Sequence, residues 1–295
     1  MFHAMTVLLA TCAAMPGLTR DDRYLLHALE ERGVAAEPAV WEDPHRDWAA
    51  ADLVLIRSTW DYSYRRDQFL AWAEGVAEET GLWNPAPLVR WNTHKRYLCD
   101  LAEREVPTVP TALLPAGSEA RLDALLGELG WEDAVLKAAV AQTGRYAMRT
   151  TLADVARGQA HLDRLLPYED MLIQPYLEAV EQSGEVSLVY VDGEFTHAVR
   201  KRAASGQFMV HDDYGGSERA TRPTPGELRV AEQALAAVTG RTLYGRVDLV
   251  AGPDGAPLVM ELELVEPALF FRYSQAAVEH LADAVEREVA RAVIR

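Results

Sequence analysis

The stretch LVMELELV occupies residues 258–265 and predicts a β-strand with two different faces. Because side chains alternate along a strand, Glu261 and Glu263 share one face, while the other face is apolar. Such a strand packs on a core with one side only. Taken alone, a Glu-x-Glu strand is also typical of a solvated edge hairpin. The neighbouring segments therefore decide between a functional surface and a solvated one.

The strand predicted just before it adds a third acid. Residues 242–250 form this strand, and the turn at residues 252–255 joins the two strands into a hairpin. Arg246 and Asp248 lie two residues apart and share a face, which brings Asp248 towards the two glutamates. Three carboxylates this close repel one another unless cations lie between them. Carboxylate oxygens on rigid strands favour Mg²⁺, with phosphate oxygens completing its coordination.

The first ninety residues alternate between short apolar runs and helical patterns. The predicted strands are residues 6–11 (TVLLAT), 34–40 and 52–56 (DLVLI), and the predicted helices are a run through Tyr24, Leu25 and Leu29 that stops at Gly33, and residues 67–79. This alternation is typical of a parallel α/β sheet. The segment NPAP at residues 84–87 is predicted to break regular structure, and we place the first boundary there.

The pattern after residue 90 favours antiparallel strands with helices on one side. Thr93 is the predicted N-cap of a helix that runs through Lys95 to Glu103. The further predicted strands are residues 135–139, 171–174, 185–191 and 195–200, and the further helices are residues 152–166 and 228–238. The fold class is therefore α/β followed by α+β. The predicted domains are residues 1–90, 91–175 and 176–295.

Composition narrows the range of partners. The 295 residues suffice for two or three lobes with a cleft between them, and the formal charge of −16 disfavours nucleic acid. The basic run Arg200, Lys201 and Arg202 suits one phosphorylated small molecule, so Lys201 and Arg202 are candidate nucleotide ligands. Two cysteines make no disulfide framework, and no signal peptide or membrane span of about 20 apolar residues is evident. We expect a cytoplasmic protein without a membrane partner.

An ordered set of segments resembles the ATP-grasp ligases over nearly the whole chain. Lys95 in NTHKRYL (residues 92–98) resembles the first lysine that binds the ATP phosphates, and Lys137 in VLK (residues 135–137) resembles the second. The resemblance implies an N-terminal parallel α/β domain followed by a two-lobed ATP-grasp domain with mixed and antiparallel sheets. It also implies activation of a carboxylate as an acyl phosphate, with release of ADP.

The resemblance extends to the rest of the nucleotide site. The segment QPYL, with Gln174, Tyr176 and Leu177, is similar to the hinge that offers backbone groups to adenine, and Glu185 matches a ribose-binding carboxylate. The metal positions fall on Asp248, Glu261 and Glu263, where Glu263 replaces the asparagine of many relatives. The implied cofactors are ATP and two Mg²⁺ ions, with Mn²⁺ as an alternative metal.

Two loops depart from the pattern of the family. Residues 201–216 (KRAASGQFMVHDDYGG) resemble a loop of the branch with glutathione synthetase and the ribosomal-protein glutamate ligase, but Met209 and His211 replace its arginine and asparagine. The covering loop at residues 138–146 has one glycine instead of several, and Arg145 is a candidate substitute for the missing backbone amides. These departures leave open a nucleotide-binding regulatory protein without turnover.

The segment RSTWDY at residues 57–62 directly follows a predicted strand. Ligands of open α/β sheets bind at the carboxyl ends of strands, so Arg57, Trp60 and Asp61 are candidate substrate ligands for a small zwitterion. The alternative is structural, with Asp61 capping a helix and Trp60 packing. This string, with LVRWNTHK at residues 88–95, resembles the ATP-grasp subgroup that contains the cyclo-ligase of the cycloserine pathway, which implies small amino-acid-like substrates.

The expected mechanism needs few reactive side chains. Lys95 and Lys137 neutralise the moving phosphoryl group, a nitrogen nucleophile attacks the acyl phosphate, and Arg246 with Arg272 stabilises the oxyanion. His211 is a candidate substrate ligand and the candidate general base. The sequence leaves open whether the nitrogen comes from a second amino acid or from the same substrate in a ring closure. It also leaves the oligomeric state open, a homodimer included.

Overall fold

The structure, a computed structural model, describes residues 5–202 and 216–293. The strands are β1 (Thr6–Thr11), β2 (Ala35–Val40), β3 (Leu53–Ser58), β4 (Gly81–Trp83), β5 (Ala112–Leu114), β6 (Asp133–Ala138), β7 (Met148–Thr151), β8 (Met171–Pro175), β9 (Glu185–Val191), β10 (Glu194–Arg202), β11 (Ser217–Thr221), β12 (Tyr244–Ala251) and β13 (Pro257–Glu263). The helices are α1 (Asp22–Glu31), α2 (Arg66–Glu79), α3 (Ala86–Asn92), α4 (Tyr97–Glu103), α5 (Leu122–Leu129), α6 (Val155–Leu165), α7 (Ala179–Gln182), α8 (Pro225–Ala236) and α9 (Gln275–Val293). The predicted order of a parallel sheet followed by antiparallel sheets is confirmed.

The N-terminal sheet has the strand order β2-β1-β3-β4, and all its strands are parallel. Both of its faces are covered, which explains why β1 and β3 are almost continuously apolar. Leu9 and Leu55 pack towards α1 and α9 on one face, whereas Leu8 and Ile56 pack towards the aromatic residues of α2 on the other. The carboxyl ends of these strands face the rest of the molecule.

The middle sheet has the order β5-β8-β6-β7 and is antiparallel. Helices α5 and α6 cover one face through a cluster that includes Leu122, Leu126 and Leu162. This arrangement leaves the partly buried Lys137 of β6 on a strand that is otherwise fixed by apolar neighbours.

The C-terminal sheet has the order β11-β10-β9-β12-β13 and is also antiparallel. Leu262 and Leu264 lie in the cluster that packs against α4 and α8 on one face. On the opposite face, Val189 and Val191 belong to the core with α9. Since alternate residues share a face, the other end of this same face carries the polar side chains of Glu185 and Ser187.

One predicted feature around residue 90 is confirmed only in part, and another is wrong. Regular structure breaks at Asn84 and Pro85, but α3 begins already at Ala86, because Pro87 is tolerated in the first turn where its missing amide hydrogen is not needed. Thr93 ends α3 instead of capping the next helix. The first turn of α4 is preceded by His94, whose Nδ1 accepts a hydrogen bond from the Arg96 backbone amide at 3.1 Å. Lys95 thus lies between two helices.

Two buried asparagines connect the N-terminal half to the C-terminal sheet. Asn84 donates from Nδ2 to the carbonyls of Tyr244 and Leu264, at 2.8 and 2.7 Å, and accepts from a backbone amide through Oδ1. Asn92 donates to the Leu262 carbonyl at 2.8 Å in the same way. Buried amides with filled hydrogen bonds fix geometry, because leaving one unpaired costs about 1–3 kcal/mol.

The division of the chain into domains stays a prediction. Cys12 and Cys99 are both free thiols. Among the described residues, no helix combines the length and the apolar character needed to cross a bilayer.

Candidate active site

The acidic face of the C-terminal sheet brings the predicted metal residues together. Across the antiparallel pair of β12 and β13, Asp248 lies opposite Glu261 and Arg246 lies opposite Glu263. One carboxylate oxygen from each of Asp248, Glu261 and Glu263 lies within 4.8 Å of the others. The shared face expected from residue spacing is therefore present, and we call these three residues the acid cluster.

Protein cations already contact every member of the acid cluster. Lys95 Nζ lies 3.0 Å from Glu261 Oε1, and Lys201 Nζ lies 2.8 Å from Asp248 Oδ2. Arg246 donates to both oxygens of Asp248 at 2.9 Å and to Glu263 Oε1 at 2.6 Å. Mutual repulsion alone therefore does not require a divalent ion here, contrary to the argument from sequence. A bound metal would exchange with these lysines, which would then be free for phosphate.

The three acids differ in how well they are compensated. Burial opposes ionisation of Asp248, but Arg246 and Lys201 hold its pKa well below the usual range. Burial likewise opposes ionisation of Glu261, yet Lys95 and Lys137 lower its pKa to about 2. Burial raises the pKa of Glu263 to about 7, and Arg246 offsets this only in part. The Glu263 end of the cluster is where an added cation would stabilise most.

The two predicted phosphate lysines converge on Glu261 from different segments. The Lys95 backbone amide donates to the Ala139 carbonyl at 2.8 Å, which ties this segment to the end of β6. Lys137 Nζ lies 3.5 Å from Met260 Sδ, and among the described residues it has no carboxylate within 4 Å. Burial lowers the pKa of Lys137, although the charge of Glu261 acts in the opposite direction. Lys137 is thus a cation available to a ligand.

The predicted adenine hinge lies beside an apolar cluster. This cluster is formed by Val109, Leu177, Val180, Val250 and Met260. The side chain of Gln174 is buried and donates to Thr111 Oγ1 at 2.9 Å, so only its backbone could serve a base. The Tyr176 ring lies under the Arg149 guanidinium at 3.5 Å.

The predicted ribose and basic residues lie on β9 and β10. Glu185 and Lys201 are opposite each other in the strand pair, and Lys201 Nζ lies 3.1 Å from Glu185 Oε2. Lys201 therefore bridges Glu185 and the acid cluster. Arg202 is exposed at the end of β10, and Arg145 of the covering loop donates to the Val140 carbonyl at 2.8 Å.

Arg57 requires a correction, because it is completely buried in the protein. It donates from Nε to Asp22 Oδ1 at 2.9 Å and from Nη2 to the Pro267 carbonyl at 2.7 Å. A salt bridge to Asp22 of α1 and a hydrogen bond to the loop after β13 replace the substrate contact expected from its position. The strand simply continues to Ser58, so Arg57 lies inside it and not beyond its end.

The other two described candidate substrate ligands, Asp61 and Trp60, have different surroundings. Asp61 accepts hydrogen bonds from Trp41 Nε1 at 2.9 Å and from Arg65 at 2.6 Å, and its side chain forms no helix cap. Trp60 is 36% exposed and donates from Nε1 to the Glu266 carbonyl at 3.0 Å, beside the site. Its contact with substrate stays a prediction.

Of two candidate catalytic residues, Arg272 lies outside the acid cluster and His211 lies outside the described residues. Arg272 forms ion pairs with Glu218 and, at 3.8 Å, with Asp21. Its predicted role at the oxyanion stays a prediction. His211 and Met209 fall within residues 203–215, outside the described residues.

Sequence reasoning missed Glu266 and Gln142. Glu266 lies three residues after Glu263, and Gln142 Nε2 in the covering loop donates to Glu266 Oε1 at 2.5 Å. The sequence feature that could have indicated Glu266 is its position directly after the predicted strand and directly before Pro267. It was overlooked because the period-two pattern of the strand ends before it.

Two lysines directed at strand-borne acids, between two antiparallel sheets, are the arrangement of an ATP-grasp ligase. Residues 7–84 match a family model described as the N-terminal domain of the D-cycloserine synthetase DcsG. The chain is 34% identical over 288 residues to the cycloserine biosynthesis protein DcsG of Streptomyces lavendulae, covering 94% of this chain and 96% of that protein. A crystal structure of D-cycloserine synthetase DcsG, 33% identical, superposes with a TM-score of 0.88 over 96% of this chain and 99% of that one.

Two more distant structures share the fold. A D-alanine–D-alanine ligase from Bacillus anthracis in complex with ATP is 16% identical, with a TM-score of 0.71 over 98% of both chains. The ATP-grasp ligase PsnB in complex with a minimal precursor, Mg and ADP is 15% identical, with a TM-score of 0.65 over 98% of this chain and 99% of that one. The chain belongs to the ATP-grasp ligases, in the family of DcsG. The resemblance found in the sequence is confirmed.

Proposed function

We propose that this protein uses ATP and Mg²⁺ to activate the carboxylate of a small amino-acid-like substrate as an acyl phosphate, which a nitrogen nucleophile then attacks with release of phosphate. The observation that carries the proposal is the convergence of Lys95 and Lys137 on Glu261 of the acid cluster. Positive charge on one side and metal-binding oxygens on the other suit a triphosphate held between them.

The acid cluster fits Mg²⁺ by its chemistry. Asp248, Glu261 and Glu263 supply hard oxygen atoms within 4.8 Å of one another, and Mg²⁺ prefers such ligands together with phosphate oxygens. When bound, Mg²⁺ neutralises charge on the phosphates during transfer. Two ions are the number that we infer for this site, with Mn²⁺ as a substitute.

The chain's own side chains bind and orient the reacting groups. Lys137 has no competing ion pair among the described residues, so its ammonium contacts the transferring phosphoryl group. Lys95 leaves Glu261 to bind phosphate. Arg246 stays fixed by Asp248 and by the Ala268 carbonyl, at 3.0 Å, and offers positive charge to the oxyanion that forms as nitrogen attacks.

The nucleoside has a matching place beside these groups. The apolar cluster with Leu177 and Met260 would cover the base, while the backbone of the hinge at Gln174 and Tyr176 would supply its hydrogen bonds. Glu185 would accept from the ribose hydroxyls once Lys201 turns towards phosphate. This order of residues supports a terminal phosphate bound at Lys137 and the acid cluster.

A ring closure is the second candidate reaction. The relatives in this family are named for cycloserine, a small cyclic amide, and the similarity to them extends over nearly the whole chain. In that case the attacking nitrogen belongs to the activated substrate itself. A nucleotide-binding protein without turnover is disfavoured, because simple binding would not need the whole set of lysines and acids.

The decisive experiment is to follow nucleotide products with Mg²⁺-ATP and a pool of D- and L-amino acids. We expect ADP and phosphate, and ¹⁸O in the substrate carboxylate should pass into the phosphate because the acyl phosphate breaks at its carbon–oxygen bond. Formation of AMP would instead show adenylation. If no substrate in the pool supports magnesium-dependent nucleotide turnover, the proposed function is contradicted.

A further inference from the structure

Glu266, close to the acid cluster in the chain, accepts hydrogen bonds through both its backbone carbonyl and its side chain. Glu266 follows β13, and its carbonyl accepts a hydrogen bond from the Trp60 indole at 3.0 Å. Its carboxylate Oε1 accepts from Gln142 Nε2 at 2.5 Å. The segment after β3, the covering loop and the segment after β13 therefore meet at one partly buried residue, Glu266.

Glu266 differs from its acidic neighbours in having no cation. In residues 5–202 and 216–293, each member of the acid cluster forms an ion pair within 4 Å, and Glu266 forms none. The carbonyl oxygen of the Gln142 side chain is buried and also has no hydrogen-bond partner there. A partly buried acid without a cation, next to a buried carbonyl oxygen without a donor, gains free energy when a cationic donor binds both.

The missing partner must be positively charged and must donate more than one hydrogen bond. A primary ammonium group has three N–H donors and one charge, so it can bind Glu266 and Gln142 together. A third metal ion fits less well, because Glu266 is not among the acids whose oxygens cluster within 4.8 Å. The exposed part of Trp60 offers an apolar surface beside this place for the rest of a small molecule.

We propose that Glu266 and Gln142 bind the amino group of the substrate, and that Glu266 selects molecules with a free primary ammonium. This proposal rests on the proposed function, because Glu266 lies three residues after Glu263 of the acid cluster. With the ammonium held at Glu266, the carboxylate to be activated is directed towards Lys137 and the acid cluster.

The test compares two probes that differ only in the amino group. D-cycloserine is 4-amino-isoxazolidin-3-one, and isoxazolidin-3-one is the same ring without the amine. Calorimetric titrations with Mg²⁺ and ADP present should show at least about tenfold tighter binding of D-cycloserine to the wild-type protein, the effect expected of one charge-assisted hydrogen bond. Glu266→Gln should remove this preference, and Gln142→Ala should reduce it. Glu119→Gln, an equal charge change at an exposed position, should leave it intact.

Several outcomes would overturn the proposal. These are a preference that persists in Glu266→Gln, or a wild-type protein that binds D-cycloserine no better than the ring without the amine. A thermal midpoint several degrees lower in ligand-free Glu266→Gln would also overturn it, because that result marks a structural role. The proposed function is judged separately, by magnesium-dependent ADP formation in the wild-type protein, so the two failures are distinguishable.

Discussion

Arg57 and Arg246 are both buried arginines that hold acids, but they belong to regions with different tasks. Arg57 donates hydrogen bonds to Asp22 and to the Pro267 carbonyl. Arg246 donates to Asp248 and to the carbonyl of Ala268, the residue after Pro267. The acid beside Arg57 is fully used inside the protein, since Asp22 also accepts from Ser58 Oγ at 2.5 Å. The acids beside Arg246 adjoin two lysines, and the side chains of Glu261 and Glu263 are partly exposed.

The difference shows how a structural salt bridge differs from a candidate binding site. Both regions place a charged residue on a buried strand, so the local sequence signal is the same. At Arg57 every carboxylate partner comes from the protein, and the result is a fixed junction. At Arg246 the acids lie among several cations, and Lys137 remains free of ion pairs among the described residues.

The largest effect is expected from loss of the free lysine. Lys137→Ala should lower kcat by roughly 10²–10³-fold, because it removes a charge that acts on the transferring phosphoryl group. Steady-state ADP release measures the loss. The free energy of unfolding should change little, since Lys137 makes no ion pair that the substitution would break.

Glu261→Gln should abolish ATP consumption as well, because it removes a metal ligand that is also the partner of Lys95. Circular dichroism should show an intact fold for both variants. Wild-type-like turnover in either purified variant would remove that residue from the proposed mechanism.

The second largest effect concerns stability at the junction. Arg57→Met should lower the free energy of unfolding by about 3–5 kcal/mol, because Asp22 would remain buried without its cation. Denaturant titration measures this loss. Adding Asp22→Asn should recover part of it. An unchanged stability combined with weak substrate binding would restore Arg57 as the substrate ligand predicted from the sequence.

A pH dependence of stability is expected from Glu266, the acid beside the cluster that forms no ion pair among the described residues. Burial raises the pKa of Glu266 from 4.5 to about 8, so the folded protein holds this proton more tightly than the unfolded chain does. The resulting stability is complete below pH 4.5 and is lost as the pH rises through about 8. Thermal midpoints of ligand-free Glu266→Gln should therefore fall less steeply over this range than those of the wild-type protein. Equal slopes would contradict the assignment.

The smallest effect is expected at Asp61. This acid is partly exposed and is bound by Trp41 and Arg65, so Asp61→Asn should cost only about 1 kcal/mol of unfolding free energy. Turnover at saturating substrate should stay close to that of the wild-type protein. A large rise in the substrate KM without a change in stability would show that Asp61 contacts substrate.

The sequence predicted the parallel sheet, the antiparallel hairpins and the shared face of Asp248, Glu261 and Glu263 because these depend on local periodicity. It could not predict which cation neutralises which acid, since the pairs of Lys95 with Glu261 and Arg57 with Asp22 join residues far apart in the chain. The helix at Ala86 was hidden by two prolines that its first turn accepts. Glu266 was missed because its partner, Gln142, lies far from it in the chain.

We infer that the acid cluster exchanges its lysine partners for divalent ions when nucleotide binds. Electron paramagnetic resonance can count the Mn²⁺ ions bound per chain in the presence of a non-hydrolysable ATP analogue. We predict two ions in the wild-type protein and fewer in Glu261→Gln, with Lys137→Ala retaining its metal sites. Equal Mn²⁺ binding by the wild-type protein and Glu261→Gln would contradict this exchange. So would the absence of any nucleotide-dependent Mn²⁺ binding.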